Sequence, residues 1–291
     1  MGTLFRRVTL YAELRNLTNL RLMNTEEKTR TMNRIRRWLS IYFPEYTTVL
    51  KSVDGAGSML LLEKAALPED IKKLGASGIN QIWRDAKLRG MGHAKAYQIL
   101  AAAERSIGRT EGLITAREEI LWLIERLKGL VDWEGRLLAQ LEELSTQLPC
   151  IENILEIKGL GIRTVTGILA EIGDITRFTE ARQIQKLAGL ALVEDSSGKH
   201  EGKTIISKRG RKRLRYQLYQ AALVLVGQNT EFRQVYEYYI TRERNPLKKM
   251  QALMAVACKL LRVLYAMATK GVKYDPGKML LDIKRPEKQV S

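Results

Sequence analysis

Apolar positions early in the chain recur at helical spacing. Leu14, Leu17, Leu20, Ile35, Leu39 and Tyr42 fall near one face, which predicts a long helix over about 11–43. Arg15, Arg21, Lys28, Arg30, Arg34, Arg36 and Arg37 occupy the other faces, and Pro44 stops the helix. That basic face is either solvated or turned to phosphates. From Tyr46 to Gly108 the periodicity breaks, with Gly55, Gly57, Pro68, Gly75, Gly78, Gly90, Gly92 and Gly108 punctuating short pieces. Segments 58–66 and 94–107 read as helices there, and His93 reads as a turn or capping residue. A second long helix is predicted over 111–148. Its apolar residues are Leu113, Ile120, Ile124, Leu127, Val131, Leu138, Leu141 and Leu148, stepping by threes and fours where consecutive. Arg117, Glu134 and Ser145 interrupt that seam. It fits either a self-pairing coiled coil or an amphipathic helix packed within one chain.

Pro149 marks a boundary. Beyond it come a glycine-punctuated helical pair, a polar loop near 195–203, and long helices over 214–227 and 247–269. The tail after Gly271 is basic and contains proline, and it reads as disordered. The expected fold is mostly α: a long helix and a coiled-coil-like arm, then a helical domain containing a helix–hairpin–helix. The segments are 1–45 (basic long helix), 46–110 (small helical subdomain), 111–149 (coiled-coil-like helix), 150–270 (C-terminal domain) and 271–291 (basic tail). Few aromatics (7%) and only 6 prolines agree with helices over a β-sandwich.

Charge narrows the function. The chain has 49 Lys+Arg against 32 Asp+Glu, a net +17. Such a surface repels itself unless a polyanion lies on it. Nucleic acid is the default partner and an anionic membrane the alternative. Two cysteines, Cys150 and Cys258, argue against a disulfide scaffold and suit a reducing, cytoplasmic setting. Together with only two histidines, His93 and His200, they argue against zinc. No apolar run approaches about 18 uncharged residues, so no membrane span is expected. Arg6 and Arg7 are not followed by the apolar core of a secretory signal.

Two stretches carry candidate chemistry. In Ile154–Leu169, a short helix runs into Lys158, Gly159, Leu160 and Gly161, and a second helix begins at once. Glycines permit the unusual turn and a close approach of backbone to a partner. Unpaired amides at the second helix's start, with Lys158, Arg163 and Thr164 beside them, suit a phosphate oxygen and position DNA without reading sequence. The alternative is an ordinary tight turn between packed helices. The second stretch is Asp195, Ser196, Ser197, Gly198 and Lys199, then Lys203, Lys208, Arg209, Gly210, Arg211, Lys212, Arg213 and Arg215. The cations read as phosphate contacts. A serine beside glycine on a polar loop could attack a phosphate held by them, although most Ser-Gly pairs are simply turns. No set of carboxylates suits Mg²⁺: Glu13, Glu26 and Glu27 read as surface pairs and Asp174 as a turn residue.

These stretches resemble the bacterial insertion-sequence transposases of the IS-one-ten type, the bridge-RNA-guided recombinases that combine an acidic quartet with a serine. The resemblance lies in Ile157–Gly161 through Glu171–Asp174; in Phe178 with Leu187, Ala188, Gly189 and Leu190; and in Ser197 and Gly198. It continues through Ile206–Gly210, Leu214 and Arg215, and reaches Lys259, Leu260 and Leu261. Upstream, Phe43, Pro44 and Glu45 after a long helix also resemble the family's middle part. The resemblance implies an N-terminal RuvC-like domain whose acidic residues bind Mg²⁺, a serine nucleophile in the helical domain, oligomers that exchange strands between subunits, and a bridge RNA that selects DNA. Ser197 matches the nucleophile, with Ser196 one position away; Lys208, Gly210 and Arg215 match the basic signature, and Arg211 departs from it. No residue matches the acidic quartet, so Mg²⁺ is expected on a domain missing from this chain, and none of its residues is assigned to metal.

The expected function is therefore a transposase component that handles DNA and exchanges strands through a serine–DNA phosphate intermediate if an acidic domain completes it. The alternatives are a non-catalytic nucleic-acid-binding protein, a decayed transposase remnant, and a structural coiled-coil protein with incidental charge. Expected partners are DNA, a guide RNA and further copies of the chain through the 111–149 helix, with no membrane.

Overall fold

The opening amphipathic segment is one helix, α1 (Gly2–Tyr42), which begins well before the expected start near residue 11. The structure is a computed structural model that describes residues 2–148, 151–195, 203–281 and 283. Among the described residues the chain is mostly α, as its patterning predicts, with one two-stranded sheet. It divides into two units: residues 20–137, and residues 1–19 together with 138–291.

The 20–137 unit holds most of α1, then α2 (Tyr46–Val49), α3 (Ala56–Lys64), α4 (Pro68–Asp85), α5 (His93–Glu104) and much of α6 (Leu113–Ser145). Trp38 Nε1 donates to the Ala116 carbonyl at 2.9 Å and Asn24 Nδ2 to the Leu130 carbonyl at 3.0 Å, so α1 and α6 run antiparallel. Ile35, Trp38, Leu39 and Phe43 of the α1 region are buried with Ile120, Ile124 and Leu127 of α6. Each such side chain contributes about 1.5–3 kcal/mol through burial. Two interruptions of the α6 seam have partners here. Arg117 grips Asp70 through two bonds of 2.7 and 2.8 Å, and Glu134 lies 3.2 Å from Lys28. Farther along α6, Leu141 belongs to the core of the other unit, as does Leu148 just beyond the helix. The seam is thus an amphipathic face packed within one chain.

Gly75 interrupts α4 as the sequence reading expects: its φ of +60° and ψ of 173° are non-helical, and two helical pieces meet there at a kink. Gly78 does not interrupt it, because the second piece runs on with Ile79 and Trp83 buried and that burial outweighs the propensity of one glycine. Trp83 Nε1 also donates to the Gly57 carbonyl at 3.0 Å, tying α4 to α3.

The second unit is built around α10 (Lys212–Gln228), which packs on α8 (Ile162–Ile172), α11 (Thr230–Thr241) and α12 (Lys249–Lys270). α7 (Ile151–Leu155), a 3₁₀ turn (Ile175–Arg177) and α9 (Ala181–Leu187) lie against α12. Asn229 explains the break between α10 and α11: its side chain accepts from the amides of Glu231 and Phe232 as an N-cap. α12 is long and apolar enough by length and composition to cross a membrane. Here Val256, Ala257, Leu260, Leu261 and Leu264 sit in the protein core.

One sequence expectation needs correction, and one element was not expected. The loop expected near 195–203 lies almost wholly outside the described residues, but a strand flanks it on each side. β1 (Leu192–Asp195) pairs antiparallel with β2 (Lys203–Ile206), with Leu192 opposite Ile206. The tail after Gly271 is partly ordered by packing: α13 (Pro276–Leu280) buries Met279 and Leu280, and Tyr274 stacks on Phe232 at 6.2 Å. Asp275 caps α13 through the Lys278 amide, so the proline at its first turn starts a helix instead of preventing one.

Candidate nucleic-acid interface

The basic run is held by two interlocked turns. α9 ends with Gly189 in the left-handed region (φ +69°), its amide donating to Lys186 O at 2.9 Å and the Leu190 amide to Gln185 O at 2.8 Å. That pair of bonds is a Schellman motif, which explains the Leu-Ala-Gly-Leu sequence at this point. The chain returns at Lys208, whose amide donates to Gly189 O at 3.0 Å, and at Arg211, whose amide donates to Leu187 O at 2.7 Å. Between them Gly210 (φ +153°) lies flat against the first turn. A Cβ there would be 2.5 Å from Leu187 O and 2.6 Å from Gly189 N. A Cβ on Gly189 would lie 2.9 Å from the Lys208 carbonyl carbon. Each glycine is needed because the other turn's backbone occupies the space a side chain would take.

The cations divide by what they touch. Arg215 Nη1 donates to Ala188 O at 2.9 Å and Lys208 O at 3.2 Å, so it fastens the two turns. The C-terminal carbonyls of α8, which lack helical partners, collect three guanidinium groups. Arg15 Nε reaches Ala170 O at 3.0 Å, Arg177 Nη2 reaches Ile172 O at 3.1 Å, and Arg211 Nη1 reaches Glu171 O. Positive charge at that end also opposes the negative end of the helix dipole. Arg213 Nη1 donates to Asn19 Oδ1 at 2.7 Å and remains exposed. Lys208, Arg209 and Lys212 are exposed as well. Lys208 keeps a left-handed φ of +54°, uncommon for a residue with a side chain.

The glycine hinge lies elsewhere. After α7, Gly159 turns with φ +98° against Leu225 and Gln228, at the far end of α10 from the basic run, and Asn229 Nδ2 donates to Lys158 O at 3.3 Å. Gly161 is the N-cap of α8 and faces open space, with Lys158 and Arg163 exposed and Thr164 half-buried. α8 runs antiparallel to α10, since Gly167 meets Gln217 and Glu171 meets Arg211. The hinge and the basic run therefore occupy opposite ends of this helix pair, roughly 15 Å apart along α8 at 1.5 Å per residue.

Ser197, with Ser196, Gly198 and Lys199, lies outside the described residues. Lys203 opens β2 opposite Asp195. Burial pushes the Cys258 thiol up to about 11, which keeps it protonated and unsuited to nucleophilic work. Among the described residues no three Asp, Glu, His or Cys side chains converge as a metal site would require. Sequence reasoning missed Arg15, Asn19 and Arg177 as neighbours of the basic run. For Arg15 and Asn19 the signal was weak, since a helix face about two hundred residues away carries no mark of its partner.

Comparison with known proteins bears on this same region. Residues 151–237 match the transposase IS116/IS110/IS902 family model. The chain is 26% identical over 86% of its length to an uncharacterized 43.6 kDa protein of insertion element IS110 from Streptomyces coelicolor, covering 61% of that protein. It is 27% identical over 91% of its length to an uncharacterized 42 kDa protein of insertion element IS900 from Mycobacterium paratuberculosis, covering 66% of it. A pilin gene-inverting protein from Moraxella bovis is 30% identical over 41% of the chain and 37% of its own length. The chain thus spans a little under two thirds of the insertion-element proteins it resembles. Similarity to the IS116/IS110/IS902 transposase family thus lies in residues 151–237, and similarity to insertion-element proteins of the IS110 type runs over most of the chain.

Proposed function

We propose that this chain handles DNA in the transposition of an insertion sequence, gripping the sugar–phosphate backbone with the 138–291 unit. The observation that carries this reading is the exposed group Lys208, Arg209, Lys212 and Arg213, mounted on interlocked turns inside the transposase-like region. Cations fixed on a rigid support bind phosphates with little ordering loss. The hinge at Gly161 adds a second contact of the helix–hairpin–helix kind, through the amides at the start of α8. A separation of roughly 15 Å corresponds to about four base-pair rises along a duplex axis, so one duplex is long enough to span it. A guide RNA presents the same backbone chemistry and is a second ligand of this surface.

Ser197 is the proposed nucleophile. Its hydroxyl oxygen attacks a backbone phosphorus, forming a serine–phosphate ester while a deoxyribose oxygen departs and takes up a proton. Attack by another DNA hydroxyl on that ester restores the serine and joins new ends. Among the described residues no cluster of carboxylates fits the Mg²⁺ that the family resemblance implies.

Two variants test the two halves of the reading. Gly161→Ala meets no neighbouring atom in the fold. It is expected to cost under about 1 kcal/mol of stability as an N-cap change and to weaken duplex binding by roughly three- to tenfold, if backbone approaches there. Unchanged binding in a fluorescence anisotropy titration removes the hinge from the interface. Ser197→Ala is expected to abolish a denaturant-resistant protein–DNA adduct on supercoiled DNA supplied with guide RNA, while leaving reversible binding intact. An adduct that survives the substitution rules out Ser197. Wild-type binding with no adduct favours the non-catalytic reading.

A further inference from the structure

A cleft of about 340 Å³ opens on the 138–291 unit where the first part of α1 meets the end of α8 and the start of α10, lined by Arg15, Asn19, Glu171, Arg211, Lys212 and Arg213. Four of its six side chains are cationic and one is a carboxylate. Among the described residues each of its guanidinium groups is anchored by one bond. Arg15 uses Nε on Ala170 O, Arg211 uses Nη1 on Glu171 O, and Arg213 uses Nη1 on Asn19 Oδ1. A guanidinium carries five N–H donors, so each keeps others for a ligand. Fixed guanidinium groups match the paired oxygens of a phosphodiester, and Lys212 adds an exposed point charge.

We propose that this cleft seats one phosphodiester of the nucleic-acid backbone, with Arg15 and Asn19 of α1 as working parts of the interface. The proposal rests on the DNA-handling function above. It adds residues far from the basic run in sequence and identifies the backbone phosphate, rather than a base, as what they hold. Glu171 sets a limit on the site: its carboxylate disfavours a doubly charged free phosphate more than the single charge of a diester.

Asn19→Asp separates a ligand role from a structural one. An Asp at this position still accepts the Arg213 bond, so a merely structural Asn19 is replaced without loss and the melting temperature holds or rises. The added carboxylate faces the cleft and repels phosphate. In anisotropy titrations of the full chain against a random-sequence 30-base-pair duplex, this variant is expected to bind about tenfold more weakly. Its log–log salt slope becomes shallower by about one, and Lys212→Ala gives a similar change of slope. Variants that bind within twofold of wild type at an unchanged slope overturn the cleft while leaving DNA handling in place. A wild-type chain that binds no duplex overturns the underlying function, and the cleft with it.

Discussion

Gly210→Ala is expected to lower the melting temperature by roughly 10 °C and to abolish tight DNA binding together with it. The new Cβ would fall 2.5 Å from Leu187 O and 2.6 Å from Gly189 N, both backbone atoms. No rotamer change relieves such a clash; one turn has to withdraw from the other. The φ of +153° is itself nearly closed to a residue with a side chain. Overpacking and backbone strain together cost on the order of 3–5 kcal/mol. For a unit of this size that corresponds to roughly 10 °C. The damage also has a local signature. The amides of Lys208 and Arg211, which donate across the two turns, should lose hydrogen-exchange protection first. A melting temperature within about 2 °C of wild type, with those amides still protected, contradicts the interlocked arrangement.

Replacing Lys208, Arg209, Lys212 and Arg213 together by alanine is expected to weaken duplex binding by roughly 100- to 1,000-fold near physiological salt, because four phosphate contacts go at once. Stability should hardly change, since all four side chains are exposed and, among the described residues, only that of Arg213 makes a hydrogen bond, to Asn19. Arg211 and Arg215 behave differently. Their guanidinium groups satisfy carbonyls of Glu171, Ala188 and Lys208, so truncating them loosens the fold that displays the other cations. Binding and melting measured side by side separate the two groups. A quadruple variant that melts early, or that binds as wild type does, overturns the division.

In the sequence these six cations form one undivided run. Nothing in their spacing shows that Arg215 turns back to a carbonyl or that Arg211 reaches across to α8, because those partners are set by tertiary packing. The long helices were legible, since periodic Leu and Ile with a stopping Pro44 leave little choice. The α6 seam was legible as amphipathic, but not its partner. Arg117 and Glu134 read as breaks in a coiled coil, yet they are the residues that pair with Asp70 and Lys28. Gly75 was legible as a break, whereas Gly78 misled because glycine propensity is a weak local signal that the buried Ile79 and Trp83 override. The β1–β2 hairpin escaped notice because each strand has only four residues and Leu192, Val193 and Ile205 stay exposed, so no alternation marks a buried face. The hinge glycines were recognisable, but their distance from the basic run depends on α8 and α10 packing antiparallel.

The most direct test of a backbone-gripping unit is the salt dependence of duplex binding by the full chain. With at least four phosphates engaged, log K should fall linearly with log salt with a slope of about −4 or steeper, and the quadruple alanine variant should be shallower by about 3–4. A wild-type slope near zero, or the same slope in both proteins, would mean that these cations face solvent and not DNA.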